Sequence, residues 1–209
     1  LLGETGTGKG LLAKLLHRGS PRAKGPFIEV NCAAIPDTLL EAELFGFERG
    51  AFTEARHAKA GLFQAADHGT IFLDEIALLN EGLQGKLLKI LEDRAVRRLG
   101  STRTEPVDVW VIAATSEDLL TKTRDGSFRE DLYHRLAVIT LTLPPLRERG
   151  TDIVLLADVF LKAACADYDL PPKSLDPAAY RALTQYAWPG NIRELGNAME
   201  RVALLCESS

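Results

Sequence analysis

A glycine-rich stretch at residues 3–10 carries the most specific chemistry in the sequence. It reads Gly-Glu-Thr-Gly-Thr-Gly-Lys-Gly, so four residues separate Gly3 from the Gly8-Lys9 pair. That spacing is typical of a phosphate-binding loop, in which backbone N–H groups converge on an anion and the lysine adds positive charge. Leucines at positions 11, 12, 15 and 16 follow at helical spacing, so the loop is predicted to open a helix. The alternative is an ordinary glycine-rich turn between a strand and a helix.

Two carboxylates end an apolar run later in the chain. Residues 69–75 read Gly-Thr-Ile-Phe-Leu-Asp-Glu, which predicts a buried strand followed by Asp74 and Glu75. Ligands of open parallel sheets bind at the carboxyl ends of the strands. We therefore expect Asp74 to lie beside the phosphate loop and to hold Mg²⁺ directly or through water, with Glu75 as the general base for an attacking water. The alternative is that both acids only cap a helix.

The composition is ordinary for a soluble globular protein and excludes several classes of function. The 209 residues are 46% hydrophobic and 26% charged, with a net charge of -4, which gives no support to general coating of nucleic acid. There is no apolar run long enough to span a bilayer and no signal-peptide pattern, so no membrane role is predicted.

The cysteines and histidines show no metal-binding pattern. Cys32, Cys165 and Cys206 are widely spaced and contain no C-x-x-C pair, which indicates free thiols in a reducing cytoplasm. The four histidines also lack the spacing of metal ligands. We therefore expect neither a disulfide framework nor a zinc site.

The order of elements predicts two parts with different architecture. Apolar runs at 27–32, 70–74, 109–114 and 138–141 predict strands that alternate with helices, and 96–99 and 105–107 predict a hairpin. After Pro144-Pro145 only helical patterns follow. This implies an α/β nucleotide-binding subdomain at 1–145 and a helical lid at 146–209. Because only Leu1 and Leu2 precede the phosphate loop, we expect its preceding strand to lie mostly upstream, in a longer protein.

Small residues dominate a stretch ahead of the acidic strand. Residues 50–55 read Gly-Ala-Phe-Thr-Glu-Ala, with Phe52 as the one large apolar side chain. Such a stretch has little to bury, which predicts an exposed loop tip. The alternative is a surface loop whose phenylalanine packs back onto the body of the protein.

Taken together, these motifs resemble the AAA+ ATPase domain of bacterial sigma-54-dependent transcriptional activators. The resemblance runs nearly end to end, and its most specific parts are the ELFG and GAFT stretches at 43–53 and the WPGN-x-REL stretch at 188–195. The other matching segments are 3–10, 30–34, 69–75, 128–136 and 143–153. It implies the α/β fold of AAA+ P-loop NTPases, with a mostly parallel central sheet flanked by helices and a small all-helical lid.

The resemblance also implies which residues form the site. Those that bind the nucleotide would be Gly3, Glu4, Thr5, Gly6, Thr7, Gly8, Lys9, Gly10, Leu11 and Arg193. Those that act in catalysis would be Lys9, Asn31, Asp74, Glu75, Thr115, Arg129 and Arg135. The loop that contacts sigma-54 would be Gly50, Ala51, Phe52, Thr53, Glu54 and Ala55.

Several of these roles have a competing interpretation. By resemblance, Asn31 holds Glu75 away from water until sigma-54 is engaged, and Arg129 and Arg135 reach the nucleotide of a neighbouring subunit. The two arginines could instead form a solvated helix face or an ion pair with Asp131. Arg193 matches the second sensor of the lid, with a salt bridge to Glu194 or Glu200 as its alternative, and Thr115 falls at the first sensor.

Three positions depart from the family pattern. Gly10 replaces an acidic residue and offers no side-chain ligand, so Mg²⁺ would depend more on Asp74, waters and the nucleotide. Ser116 replaces asparagine in the first sensor and reaches less far. Glu54 replaces the second glycine of the sigma-54 loop, where it adds a negative charge and removes conformational freedom.

The resemblance implies an Mg²⁺-dependent ATPase that forms a homo-oligomeric ring, a hexamer or a heptamer. The ring would remodel the closed complex of sigma-54 RNA polymerase holoenzyme, and DNA would be bound only by a domain absent from this chain. Because of Glu54, the competing hypothesis is a paralogous AAA+ regulator that binds and hydrolyses ATP for assembly or signalling without driving sigma-54. A monomeric P-loop kinase is a third possibility, disfavoured by Arg193 and by the lack of an evident acceptor pocket.

Overall fold

The computed structural model describes residues 1–53 and 55–206. The chain folds as two compact units: unit 1 contains residues 1–2 and 10–141, and unit 2 contains residues 3–9 and 142–209. The helices are α1 Lys9–Arg18, α2 Asp37–Phe45, α3 Leu62–Ala65, α4 Glu81–Asp93, α5 Leu119–Arg124, α6 Glu130–Leu136, α7 Asp152–Asp167, α8 Pro177–Gln185 and α9 Asn191–Leu205. The strands are β1 Phe27–Asn31, β2 Gly46–Phe47, β3 Lys59–Ala60, β4 Thr70–Asp74, β5 Ala95–Arg97, β6 Thr104–Pro106 and β7 Trp110–Ala113.

A parallel sheet with the strand order β1-β4-β7 organises unit 1. Its middle strand, β4, is buried from Thr70 to Leu73, as its uninterrupted apolar sequence predicts for a strand covered on both faces. The register pairs Asn31 with Asp74, so these two polar side chains begin side by side at the carboxyl end of the sheet. Next to β7, Leu2 forms a parallel bridge with Thr115.

The two faces of β4 belong to two hydrophobic clusters. Phe72 packs in a smaller cluster with Ala13 of α1 and with Ile112 and Ala114. On the opposite face lies the main core of unit 1, whose fully buried members include Leu40, Leu44, Phe45, Phe63, Ile71, Leu73, Ile76, Leu87, Val96, Phe128 and Leu132. Helices therefore cover the sheet on both faces, and its carboxyl edge is the place where polar side chains accumulate.

The predicted strand at residues 138–141 is wrong. This segment has no strand in the structure, and Val138 and Ile139 are each 79% exposed. A backbone hydrogen bond from Leu2 N to Leu141 O, at 2.8 Å, links the segment to the sheet region. A strand needs a ladder of such bonds, and the neighbouring segment, Leu1–Leu2, is two residues long.

Two small hairpins lie outside the main sheet. Strands β5 and β6 pair antiparallel, which confirms the hairpin predicted around Gly100. Strands β2 and β3 form the other antiparallel pair, and a parallel bridge between Phe47 and Leu99 connects the two hairpins. The 50–55 loop begins three residues after the end of β2, and the Glu48 N–H donates to the Leu99 oxygen at 2.9 Å, so the chain that enters the loop is held to both hairpins.

Unit 2 is built from helices around a core of its own. Helices α7 and α9 pack against each other, and α8 packs against α7. The buried members of this core include Leu146, Ile153, Ala157, Leu161, Trp188, Leu195 and Met199. The phosphate loop, residues 3–9, clusters with this unit. Among the described residues, no helix combines the length and the apolar character needed to cross a bilayer.

Candidate nucleotide-binding site

The loop at residues 3–9 has the conformation expected of a phosphate cradle. Its three glycines all adopt positive φ angles, 148° at Gly3, 83° at Gly6 and 99° at Gly8. Residues other than glycine rarely adopt such angles. Lys9 is 5% exposed, and its Nζ donates hydrogen bonds to the backbone oxygens of Gly3, at 2.8 Å, and Glu4, at 3.2 Å. Helix α1 begins at Lys9, as the leucine spacing predicts.

The loop lies in close backbone contact with the turn that opens α9. The N–H of Ile192 donates to the Gly6 oxygen at 3.0 Å. A Cβ atom added at Gly6 would lie 2.3 Å from the Gly190 oxygen and 3.3 Å from the Cβ of Arg193. The structure therefore brings the base of the Arg193 side chain next to the phosphate loop, and only glycine fits at position 6.

Asp74 and Glu75 end the central strand. Asp74 is the last residue of β4, and Glu75 adopts a left-handed conformation with φ 54°, which turns the chain away from the sheet. The Glu75 N–H donates to Asp74 Oδ1 at 3.1 Å. The Glu75 carboxylate accepts hydrogen bonds from Ser116, from the backbone N–H at 3.1 Å and from the hydroxyl at 3.0 and 3.2 Å. Sequence reasoning treated Ser116 only as a short sensor and missed this contact.

Asn31 and Thr115 occupy the neighbouring strand ends. The Asn31 Oδ1 atom accepts a hydrogen bond from the Ala33 N–H at 2.9 Å, so in this structure it caps the turn after β1. Thr115 is 1% exposed, and its Oγ1 accepts a hydrogen bond from the Glu117 N–H at 3.0 Å. Next to Asn31, burial and the negative charges of Asp74 and Glu75 raise the pKa of Cys32 to about 12, so this thiol stays protonated.

The two arginines proposed to act on a neighbouring subunit are both exposed on unit 1. Arg129 immediately precedes α6 and donates to Asp131 with Nε at 3.0 Å and Nη2 at 2.7 Å, which is the ion pair expected as the alternative to a role in trans. That pairing lowers the pKa of Asp131 and raises that of Arg129. Arg135 lies at the end of α6, and its Nη2 donates to the Leu91 oxygen at 3.0 Å.

The two ends of the 50–55 loop are joined by a hydrogen bond, and Phe52 presents an accessible aromatic ring. The Gly50 N–H donates to the Ala55 oxygen at 2.8 Å, and Ala55 is buried. Phe52 is 43% exposed, yet its ring meets that of Phe47 edge to face at 4.9 Å between centroids. The two sequence-based interpretations thus both hold in part, since the ring packs back and remains accessible. Glu54, the main departure from the family pattern, lies outside the described residues.

The residues present fit a magnesium ion that is held mainly by a nucleotide. In the described part of the chain, no group of three or more His, Cys, Asp or Glu side chains is placed to hold a metal. Mg²⁺ is commonly bound by one or two carboxylates together with substrate phosphates and waters. Asp74 supplies such a carboxylate, and Gly10 supplies no side-chain oxygen.

Sequence reasoning missed a polar network between the phosphate loop and the C-terminal segments of unit 2. Arg147 donates to both carboxylate oxygens of Glu4, at 2.6 and 2.9 Å, and Asn191 Nδ2 donates to Glu4 Oε2 at 3.0 Å. Arg149 Nη2 donates to the Thr7 oxygen at 2.8 Å. The only signal for these contacts was that the residues lie in the 143–153 and 188–195 motifs.

Comparison with protein families assigns both parts of the chain. Residues 1–142 match the model of the Sigma-54 interaction domain, and residues 147–209 match that of the AAA+ ATPase lid domain.

Individual relatives agree with this assignment. The regulatory protein AtoC of Escherichia coli K12 is 52% identical over 203 residues, which are 97% of this chain and 44% of AtoC. The anaerobic nitric oxide reductase transcription regulator NorR of Salmonella arizonae is 49% identical over 207 residues, 99% of this chain and 41% of NorR. The chain thus spans less than half the length of either relative.

Solved structures show the same fold. A crystal structure of NtrX from Brucella abortus in complex with ATP is similar with a TM-score of 0.91 and 38% identity, over 98% of this chain and 44% of that one. NtrX from Brucella abortus has also been solved in complex with ADP. The chain therefore belongs to the sigma-54 interaction domain family, the AAA+ central domains of sigma-54-dependent transcriptional activators.

Proposed function

We propose that this chain binds ATP with Mg²⁺, hydrolyses it within a ring of identical subunits, and couples hydrolysis to remodelling of the sigma-54 RNA polymerase closed complex. The observation that carries the proposal is the conformation of the phosphate loop, with three glycines at positive φ and Lys9 buried against it. A relative of the same fold, NtrX, has been solved with ATP bound.

The catalytic roles follow from the chemistry of phosphoryl transfer. Charge on the transferred group is spread over its oxygens, so catalysis consists chiefly of positioning and electrostatic stabilisation. Lys9 and the loop N–H groups bind the phosphates. Asp74 would hold Mg²⁺, which when bound would supply positive charge beside the phosphates. Glu75 takes the proton of the attacking water, with Thr115 orienting that water. Asn31 restrains Glu75 until sigma-54 is engaged.

The remaining site residues act from the lid and from a second subunit. Arg193 reaches the phosphates of its own subunit's nucleotide, and its position beside Gly6 supports that role. Arg129 and Arg135 complete the site of the neighbouring subunit, in a hexamer or a heptamer. For Arg129 this requires exchanging the Asp131 carboxylate for a phosphate, a change between two anionic partners.

The domain division and the partners are part of the same proposal. Residues 1–145 form the nucleotide-binding subdomain and residues 146–209 the lid, in a protein that acts in the cytoplasm. Phe52 and its neighbours in the 50–55 loop contact sigma-54, and DNA is bound through another domain of the protein.

A second candidate function is favoured by one feature of the sequence. Glu54 occupies the position of the second glycine in the family's sigma-54 loop. A carboxylate there adds negative charge to a surface that must contact sigma-54. The alternative is an AAA+ regulatory ATPase that uses nucleotide for assembly or signalling without driving sigma-54.

The ATPase part of the proposal is tested by substitution of the loop lysine. Lys9→Ala is expected to weaken ATP binding about 10-fold or more, because a hydrogen bond to a charged group contributes about 1.5–3 kcal/mol. Binding is measured by titration with a fluorescent ATP analogue, and hydrolysis by phosphate release with Mg²⁺. Lys14→Ala on the same helix is the matched control, since that side chain is 48% exposed and pairs with Glu29. Wild-type binding and hydrolysis in Lys9→Ala would contradict the assigned site.

A further inference from the structure

Glu4 places a carboxylate inside a loop that is proposed to bind phosphates. An ionised group at this position would repel the nucleotide unless its charge were compensated. The Glu4 side chain is 42% exposed, and its hydrogen bonds from Arg147 and then Asn191 lower its pKa to about 2. Glu4 is therefore ionised at neutral pH, and the loop carries a negative charge that must be balanced nearby.

Arg147 provides that balance with favourable geometry. Its two terminal nitrogens reach the two oxygens of Glu4 at 2.6 and 2.9 Å, the bidentate arrangement that makes guanidinium–carboxylate pairs strong and specific. The pairing raises the pKa of Arg147 in turn. Asn191 donates to the same carboxylate at 3.0 Å, so Glu4 is held in one orientation by two residues.

The burial, backbone conformation and hydrogen bonds of Asn191 fix its side chain in position for this contact. It is fully buried at 0% exposure and adopts a left-handed conformation with φ 53°. Its Oδ1 accepts from the Leu146 N–H at 2.8 Å, which anchors one end of its amide group. The other end, Nδ2, donates to Thr5 O at 3.1 Å as well as to Glu4. A buried amide with all these contacts fixes the loop relative to α9.

Three successive carbonyl groups of the loop accept hydrogen bonds from residues outside the loop. The oxygens of Thr5, Gly6 and Thr7 accept hydrogen bonds from Asn191 Nδ2, Ile192 N and Arg149 Nη2 respectively. In a trans peptide unit the N–H points opposite to the C=O. Binding the Thr5 and Thr7 carbonyls on one side therefore directs the N–H groups of Gly6 and Gly8 to the other side, where a phosphate would need them. The Thr7 N–H instead donates to the Glu4 oxygen at 3.3 Å and closes the turn of the loop.

We propose that Arg147 and Asn191 are positioning residues for the nucleotide phosphates. Arg147 neutralises Glu4. Asn191 and Arg149 hold the Thr5 and Thr7 carbonyls so that the N–H groups of Gly6 and Gly8 face the phosphates. This inference rests on the proposed ATP binding. It adds which residue compensates the charge of Glu4 and which residues fix the conformation of the phosphate loop.

The test is a double-mutant cycle read out by nucleotide affinity. Arg147→Ala is expected to raise the Kd of a fluorescent ATP analogue about 10-fold, which is about 1.4 kcal/mol, because the negative charge of Glu4 is then no longer neutralised. In a Glu4→Gln background the same Arg147→Ala change is expected to raise the Kd less than about 3-fold, because the repelling charge is gone.

A second variant keeps the test decisive if Arg147→Ala fails to fold. Arg147→Lys retains the positive charge but replaces the bidentate pair with a single contact. Its loss of affinity is therefore expected to be smaller than that of the alanine variant at low salt, and to grow as added salt screens the contact. The Kd of the same fluorescent ATP analogue is measured across a salt series, with the wild-type chain as the reference.

Asn191→Ala separates the two parts of the mechanism. It is expected to weaken binding about 10-fold both with and without the Glu4→Gln substitution, because the Thr5 carbonyl contact is lost in either case. Asn197→Ala and Arg201→Ala, both exposed on α9, are the matched controls. Thermal melting identifies variants that do not fold.

Each outcome bears on one claim. Affinity equal to that of the wild-type chain in folded Arg147→Ala protein would overturn the charge compensation. A loss of affinity in Arg147→Lys protein that does not grow with added salt would overturn it too. An equal loss with and without Glu4→Gln would overturn it as well. Unchanged affinity in Asn191→Ala would overturn the positioning role of that residue. Failure of the wild-type chain to bind ATP at all would instead contradict the proposed function itself.

Discussion

Glu75→Gln is expected to abolish ATP hydrolysis and to leave ATP binding intact. Glutamine retains the shape of glutamate but cannot accept the proton of the attacking water, and a general base contributes about 10²–10⁴-fold to a rate. The substitution is mild for the fold, because an amide can accept the hydrogen bonds that the Ser116 N–H and hydroxyl now donate. Single-turnover phosphate release measures the chemical step, and titration with a fluorescent analogue measures binding.

The control for this substitution is a glutamate outside the site. Glu92 is exposed on α4, and the Glu92→Gln variant is expected to hydrolyse ATP at the wild-type rate. Wild-type turnover in Glu75→Gln would remove Glu75 from the mechanism. Loss of nucleotide binding together with hydrolysis would show that Glu75 holds the site together instead of acting as its base.

Arg135→Ala is expected to cause the other large loss, by about 10³–10⁵-fold in hydrolysis, with nucleotide affinity retained. This is the range over which an arginine supplied by a second subunit stabilises the charge of the transition state. Arg135 is exposed at the end of α6, and its contact to the Leu91 oxygen leaves no carboxylate competing for it among its described contacts. The measurement is phosphate release at protein concentrations where the ring forms.

A mixing experiment shows whether the arginine acts in trans. Arg135→Ala retains a working base, and Glu75→Gln retains a working arginine. An interface between an Arg135→Ala subunit and a Glu75→Gln subunit can therefore assemble one complete site. We expect a mixture of the two variants to recover part of the ATP hydrolysis. Arg124→Ala, exposed at the end of α5, is the control and should hydrolyse ATP normally. No recovery in a mixture that forms mixed rings would argue against a shared site.

Elements defined by local pattern could be predicted from the sequence, and those defined by distant partners could not. The run ending at Asp74 was predicted as a buried strand, because its uninterrupted apolar residues suit a strand covered on both faces. The segment at 138–141 has a similar composition but forms no strand, because strand formation depends on a neighbour that composition does not describe. β-structure is decided by pairing more than by propensity.

The candidate site divides in the same way. The glycine spacing at residues 3–8 predicted the loop, because positive φ angles select glycine directly. The contact of Ser116 with Glu75 and that of Arg147 with Glu4 join residues 41 and 143 positions apart in the sequence. No local rule relates such residues, so only the fold reveals which polar side chains meet.

Coupling of ATP hydrolysis to sigma-54 is tested by capture of sigma-54 on the chain in a transition-state complex. Purified chain is incubated with sigma-54 and ADP plus fluoroaluminate, with ADP alone as the control, and the complex is measured by native gel or size-exclusion chromatography. We expect a complex with fluoroaluminate and none with ADP alone. Because the ring of Phe52 is accessible on the 50–55 loop, we expect Phe52→Ala to lose that complex. Capture by Glu54→Gly but not by the wild-type chain would assign the alternative regulatory function. Absence of the complex in both, from protein that hydrolyses ATP, would contradict coupling to sigma-54.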